Sequence, residues 1–304
     1  MTDVSLPSPE IAAALRAADH RLASVGSAAA HRVAHGASPL LEDEVVVRLG
    51  ALLGDLAAQA LGFAGLGHDP ALVRRLTAML ADERTILIHC HALAIEWRLT
   101  SALAAQGRID AVLPPIVQAA LVPDSGYAEA AAIAPRLIAA LTRVNESLRR
   151  MALPWGELPG DLQHRVIALR NALLVESGID DIAPMPWAAG QDDARVPLMQ
   201  RLLGAMGHRV HEALRLDRAG VALFLTALAL STGAPRELVS LAIAEDDPVR
   251  LALLLRAAGL ARDEAIAQLL MIRPDATPAL VEAVDGRDSA EAILAAHGSV
   301  EHRA

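Results

Sequence analysis

The chain contains no lysine: the 27 basic side chains counted as Lys and Arg are all arginines. Without an ammonium group there is no Schiff-base chemistry, no GxxxxGK[ST] phosphate loop and no kinase-type strand lysine. Cysteine is nearly absent too. Cys90 stands alone, which excludes internal disulfides, CxxC redox pairs and multi-cysteine zinc sites and fits a reducing compartment. Aromatics make up 2% of the 304 residues, and the six of them (Phe63, Trp97, Tyr127, Trp155, Trp187 and Phe224) are too scattered to form a base-stacking platform. A net charge of −9 repels phosphate backbones, so nucleic acid is not an expected partner. Long apolar runs are missing as well. The most apolar, Val221 to Leu230, is roughly half the length of a bilayer span, and Met1 to Glu10 has neither the basic nor the apolar region of a secretory signal. These absences predict a cytoplasmic chain with no membrane partner.

What is present is aliphatic: 54% of residues are hydrophobic, supplied by Ala, Leu, Val and Ile, a helical composition. Ser8-Pro9-Glu10 reads as a helix start, and Ile11, Leu15, Ala18, Leu22, Val25 and Ala29 then recur at helical spacing up to Gly36-Ala37-Ser38-Pro39. A second stripe runs through Val45, Leu49, Leu52, Leu53, Leu56 and Leu61. Two long helices joined by a short loop predict an antiparallel hairpin, whose wide stripes predict a homodimer. Asp69-Pro70 and Pro114-Pro115 open further helices, an apolar helix spans about 83–105, and Pro135 should kink or divide a helix over 127–151. No sustained period-two alternation predicts a strand.

Two proline and tryptophan connectors follow, Leu153 to Gly160 and Pro184 to Trp187. They place a boundary that divides the chain into an N-terminal helical bundle, 1–152, and a C-terminal domain, 153–304. From Asp217 helix starts recur every 12 to 17 residues, with Pro235, Pro248 and Pro278 at expected first positions and Gly233, Gly259, Gly286 and Gly298 at expected C-caps. Asp288 to Glu291 has capping-box spacing. This is the pattern of a HEAT-like stack of short helices. The expected fold is therefore all-α, a long-helix hairpin or bundle followed by that stack.

Asp247-Pro248-Val249-Arg250 resembles the inner turn of a HEAT-type repeat, in which the aspartate caps the second helix and the arginine lies one turn in. More broadly, 217–270 resembles the C-terminal part of the bacterial domain-of-unknown-function family 2336: a Phe-containing helix (Phe224), a helix opened by a small residue or proline, and a leucine-rich helix ending in Arg256-Ala257-Ala258-Gly259-Leu260. Glu157 to Asp161 is similar to that family's L-P-x-x-L segment. The resemblance implies a HEAT-like helical fold and brings no catalytic residues with it.

Histidine is the residue type left to support chemistry. His31 and His35 share a helix face at a spacing that can hold zinc, His208 and His211 lie three apart, and His89 and His91 point about 200° apart on a helix. None sits in an HExxH or paired ExxH pattern. In a dimeric hairpin, His31 or His35 would be the phosphorylated residue of a phosphorelay protein, although no acidic neighbour, downstream proline or nucleotide-binding motif accompanies them. The expected function is a non-enzymatic adaptor for an unidentified protein partner, without cofactor or metal; the alternatives are that phosphorelay role and a small-ligand or metal-binding protein. Trp155 and Trp187 are expected at a seam or a partner surface. Arg250 is expected either to pair with a carboxylate of the loop before it or to bind the partner.

Overall fold

The computed structural model describes residues 11–20, 43–122, 128–179, 193–284 and 286–298. The protein is all-α, with about fifteen helices and no strand among the described residues. They are α1 (11–20), α2 (Asp43–Gly62), α3 (Pro70–Asp82), α4 (Arg84–Ala105), α5 (Pro115–Ala120), α6 (Ala128–Arg149), α7 (Gly160–Glu176), α8 (Arg195–Ala205), α9 (Leu216–Thr232), α10 (Arg236–Ala244), α11 (Val249–Ala257), α12 (Arg262–Ile272), α13 (Ala279–Glu282) and α14 (Arg287–Gly298), with 3-10 segments at Trp155–Glu157 and Gly207–Leu214. They sort into two compact units. One gathers the described residues of Met1–Ser24, Leu99–Ala119 and Leu203–Ala304, the other those of Val25–Arg98 and Ala120–Leu202. Each is discontinuous and takes chain from both sides of the boundary expected at 152/153.

In the unit containing Val25–Arg98, α2, α3 and α7 pack on one another. Asp69 accepts from the N–H groups of Ala71 (2.8 Å) and Leu72 (3.2 Å) and Pro70 has no N–H to lose, so α3 starts where the sequence predicts. Leu49, Leu52, Leu53 and Leu56 of α2 share a core with Leu76 and Leu80 of α3 and Leu173 of α7. By length and composition α2 could cross a membrane; nine of its residues are buried, Arg48 included, and seven of them belong to this core. From Ile86 to Glu96 every residue of α4 but the half-buried Ile88 is buried, so this stretch is covered on all sides. Pro135 lies inside α6, which runs on undivided to Arg149.

In the other unit α11 is the central helix. Eight of its nine residues are buried, and α9, α10, α12, α13 and α14 all pack on it. The helix ending at Ala258-Gly259-Leu260 closes by a left-handed turn: Gly259 has φ 88° and the Leu260 N–H reaches back to the Leu255 carbonyl at 3.4 Å. Ile11 and Leu15 of α1 share a core with Val249, Leu253 and Ala257 of α11 and with Ala290 and Ile293 of α14. α1 lies on α11 and α14, and the stripe of α2 is covered by α3 and α7; the stretch 21–42 expected to carry the hairpin loop lies outside the described residues.

Three local expectations shift. Pro235, Pro248 and Pro278 occupy N-cap positions, so α10, α11 and α13 each begin one residue later than predicted, and Asp247 makes no cap. The Asp288 to Glu291 box does not form, because α14 already starts at Arg287, whose Nε donates to Glu291 Oε1 at 2.6 Å. Gly220 interrupts α9 with φ 66° and ψ 169°, where a Cβ would come within 3.1 Å of the Asp110 carbonyl oxygen.

Candidate functional site

Trp155 sits in the core of its unit, 7% exposed, with its ring edge-to-face on Phe63 at 6.2 Å. Side chains of α2 and α7 fasten the connector around it. The Trp155 N–H donates to Gln59 Oε1 (3.2 Å), Gln59 Nε2 donates to the Leu153 carbonyl (2.7 Å), and Asp55 Oδ2 accepts from the Leu153 N–H (2.9 Å). The fully buried Gln163 donates to the carbonyls of Trp155 (3.1 Å) and Leu158 (2.9 Å). An indole held this way fills a core and is not displayed on a loop. Trp187, His31 and His35 lie outside the described residues.

The same unit buries a charge pair that no motif of the sequence announces. Arg195, at the start of α8, sets both Nη1 and Nη2 on the two oxygens of Glu96 in α4, the second at 3.3 Å; the side chains are 5% and 3% exposed. Glu157 in turn accepts from the Arg195 N–H (2.8 Å) and from Arg143 (2.6 Å), linking the tryptophan connector to α6 and α8. A lone acid in the apolar run 86–95 and just beyond was the available signal for Glu96. Arg48 donates to the Leu148 carbonyl (2.6 Å), pairs with Glu44 and lies 5.0 Å over the Trp97 ring; burial outweighs the Glu44 charge and lowers its pKa.

Arg250, in the unit built around α11, is the sequence-predicted residue with the most site-like surroundings. Its Nε donates to Glu245 Oε1 at 2.8 Å, so it does pair with a carboxylate of the loop before it. Its Nη2 also binds Asp19 Oδ1 of α1, 231 residues away. Burial works against this cation, but the two carboxylates outweigh it and raise its pKa. Arg273 positions Glu245 from behind by donating to the carbonyls of Glu245 and Asp246. A cavity of about 400 Å³ opens beside the guanidinium, with apolar walls from Pro235, Leu238, Leu254 and Leu294 and polar edges from Asp19 and Glu291. Asp19 was legible only as an acid next to an apolar stripe, one turn after Leu15.

The remaining reactive groups are buried singly. Desolvation pushes the Cys90 thiol up to about 12 and His91 down to about 4, so both are neutral near pH 7. Among the described residues no three His, Cys, Asp or Glu side chains converge as metal ligands. In the Arg256 to Leu260 segment, Arg256 donates to the Leu260 carbonyl at 2.7 Å, a helix-end role, and Phe224 is fully buried. No family model, curated protein or solved structure matches the chain.

Proposed function

We propose that this chain is a cytoplasmic, non-enzymatic adaptor that binds another protein, with α9–α14 acting as a HEAT-like stack of short helices. The observation that carries the reading is the Arg250 cavity, an apolar recess made by helix faces and the α9–α10 loop around a buried cation. Such a recess offers shape, greasy walls and one charge, which suits recognition more than bond chemistry. The likeness of 217–270 to family 2336 and the absence of lysine chemistry support it. Self-association belongs to the same proposal and is measured by light scattering. The α2 stripe is not its surface, since that stripe is buried in its own unit.

The test is capture of a partner by tagged full-length chain after crosslinking in cells. A stoichiometric partner is expected, and it should be lost in Leu238→Arg, which fills the recess from α10 without removing the Arg250 pairs. A chain recovered alone, or carrying one metal ion per chain or acid-labile phosphate, overturns the proposal. The cavity volume also falls within the range of small-molecule pockets, about 300–1,000 Å³. A small-ligand receptor is therefore the second reading, and native mass spectrometry of the purified chain distinguishes it.

A further inference from the structure

We propose that the groove between α11 and α14 is a helix-docking site occupied from within the chain by α1, and that its external partner is an amphipathic helix with aliphatic residues at i and i+4 and a carboxylate at i+8. The proposal rests on the adaptor reading and names the chemistry of the partner.

The seated helix supplies the template. Of the ten described residues of α1, only Ile11, Leu15 and Ala18 are buried; they occupy one face, at i, i+4 and i+7. Beneath them Val249, Leu253 and Ala257 repeat every four residues along α11, so two rows of equal spacing meet. At i+8 Asp19 reaches Arg250. Arg250 therefore holds two carboxylates of different kind. Glu245 comes from the adjoining loop and is fixed there by Arg273, whereas the second seat is filled by whichever helix lies in the groove.

The fit of α1 is also incomplete. The cavity of about 400 Å³ continues past Asp19 between α14 and the α9–α10 loop, lined by Leu238 and Leu294, and α1 contributes only Asp19 to its edge. A partner helix that places a further large aliphatic side chain there gains contacts that α1 does not make. Among the described residues α1 is seated by Ile11, Leu15, Ala18 and the Asp19–Arg250 pair, so a helix that makes these contacts and also fills the cavity competes for the same seat. Helix-in-groove recognition of this type is read by anchors at i, i+4 and i+7.

The probe is a fluorescein-labelled peptide of residues 8–22, titrated by anisotropy against full-length protein. In the Leu15→Asp chain, which frees the groove without altering it, the peptide should bind at least tenfold more tightly than in wild type. A peptide carrying Asp19→Asn should bind several-fold more weakly to the same chain. Asp19→Arg in the full chain, which repels Arg250 but leaves the apolar contacts, is the second variant and decides the matter if Leu15→Asp does not fold. A variant with wild-type circular dichroism and cooperative melting that binds the peptide no better than wild type overturns the proposal, as does equal binding of the Asn peptide. A chain that captures a partner in cells but ignores the peptide loses this groove and keeps the adaptor function; one that binds the peptide but captures nothing loses the adaptor function alone.

Discussion

Glu96→Gln tests whether the buried ion pair of the Val25–Arg98 unit holds its helices together. The substitution keeps the shape of the side chain and removes its charge, leaving the Arg195 guanidinium 5% exposed without its counter-ion. Removing one partner of such a pair costs about 3–5 kcal/mol, because the surviving ion has lost its water without compensation. At about 2–4 °C per kcal/mol, the scaling for domains of somewhat smaller size, the midpoint should fall by about 6–20 °C. Arg195→Gln should behave alike, with some extra loss because Glu96 is 3% exposed. The double replacement Glu96→Leu with Arg195→Met is the decisive arm. It removes both charges together, and stability should return to within about 2 kcal/mol of wild type. Thermal and urea unfolding followed by circular dichroism measure all three. If Glu96→Gln shifts stability by less than about 1 kcal/mol, the range of exposed pairs, the reasoning from burial is refuted. The same follows if the double variant loses the sum of the single losses, since the cost would then lie in packing.

Four further outcomes are expected. Trp155→Ala should cost about 3–5 kcal/mol as a core truncation, and an unchanged melting curve would contradict its burial against Phe63. Gly220→Ala should cost more than about 2 kcal/mol, since φ 66° with ψ 169° is open essentially to glycine alone and the new Cβ would crowd the Asp110 carbonyl; a neutral result in urea unfolding would refute both points. For His91 the folded pKa of about 4 lies below the unfolded value near 6.5, so the unfolded chain binds the extra proton between them and stability falls as pH drops through that window, by about 3 kcal/mol at its lower end. His91→Gln should flatten that part of the pH–stability curve measured by urea unfolding, and an unchanged slope would refute the assignment. Cys90, fully buried with its pKa raised to about 12, should react with a disulfide dye at pH 8 only as fast as the chain unfolds; rapid native labelling would show that α4 opens locally.

Helices and many of their ends were legible because they depend on neighbours in sequence. Asp69-Pro70 starts α3 with bonds two and three residues away, and Gly233 ends α9 at φ 68°, as such residues do in any chain. The Asp288 box failed for an equally local reason: Arg287 and Glu291 pair four apart, so the helix starts before the aspartate can cap it. What sequence could not reveal was what covers a stripe. Ile11 and Leu15 announce a buried face but not its cover, which α11 and α14 supply together with the Asp19–Arg250 pair. Half of the Arg250 site was readable, because Glu245 lies five residues away, and the other half was not, because Asp19 lies 231 away. Gly220 is a similar case. Its conformation answers to Asp110 and Pro114, over a hundred residues earlier.

The missing lysine acquires a structural meaning at these same sites. Arg48, Arg195 and Arg250 are buried, and each serves more than one acceptor at once: a carbonyl, a carboxylate and an aromatic face for Arg48, both oxygens of Glu96 for Arg195, and two carboxylates from separate elements for Arg250. A guanidinium does this with a rigid planar fork and a weakly held water shell, whereas an ammonium is a compact, strongly hydrated charge that surrenders its proton when buried. Lysine at position 250 could not hold the fixed geometry that joins Glu245 to a carboxylate on a different helix. It would settle on one of them, and a lysine held by Glu245 would release the Asp19 pair that ties α1 to α11. The residue that excludes lysine chemistry from this chain is thus also the one whose geometry lets an interior site recognise a second segment by its carboxylate.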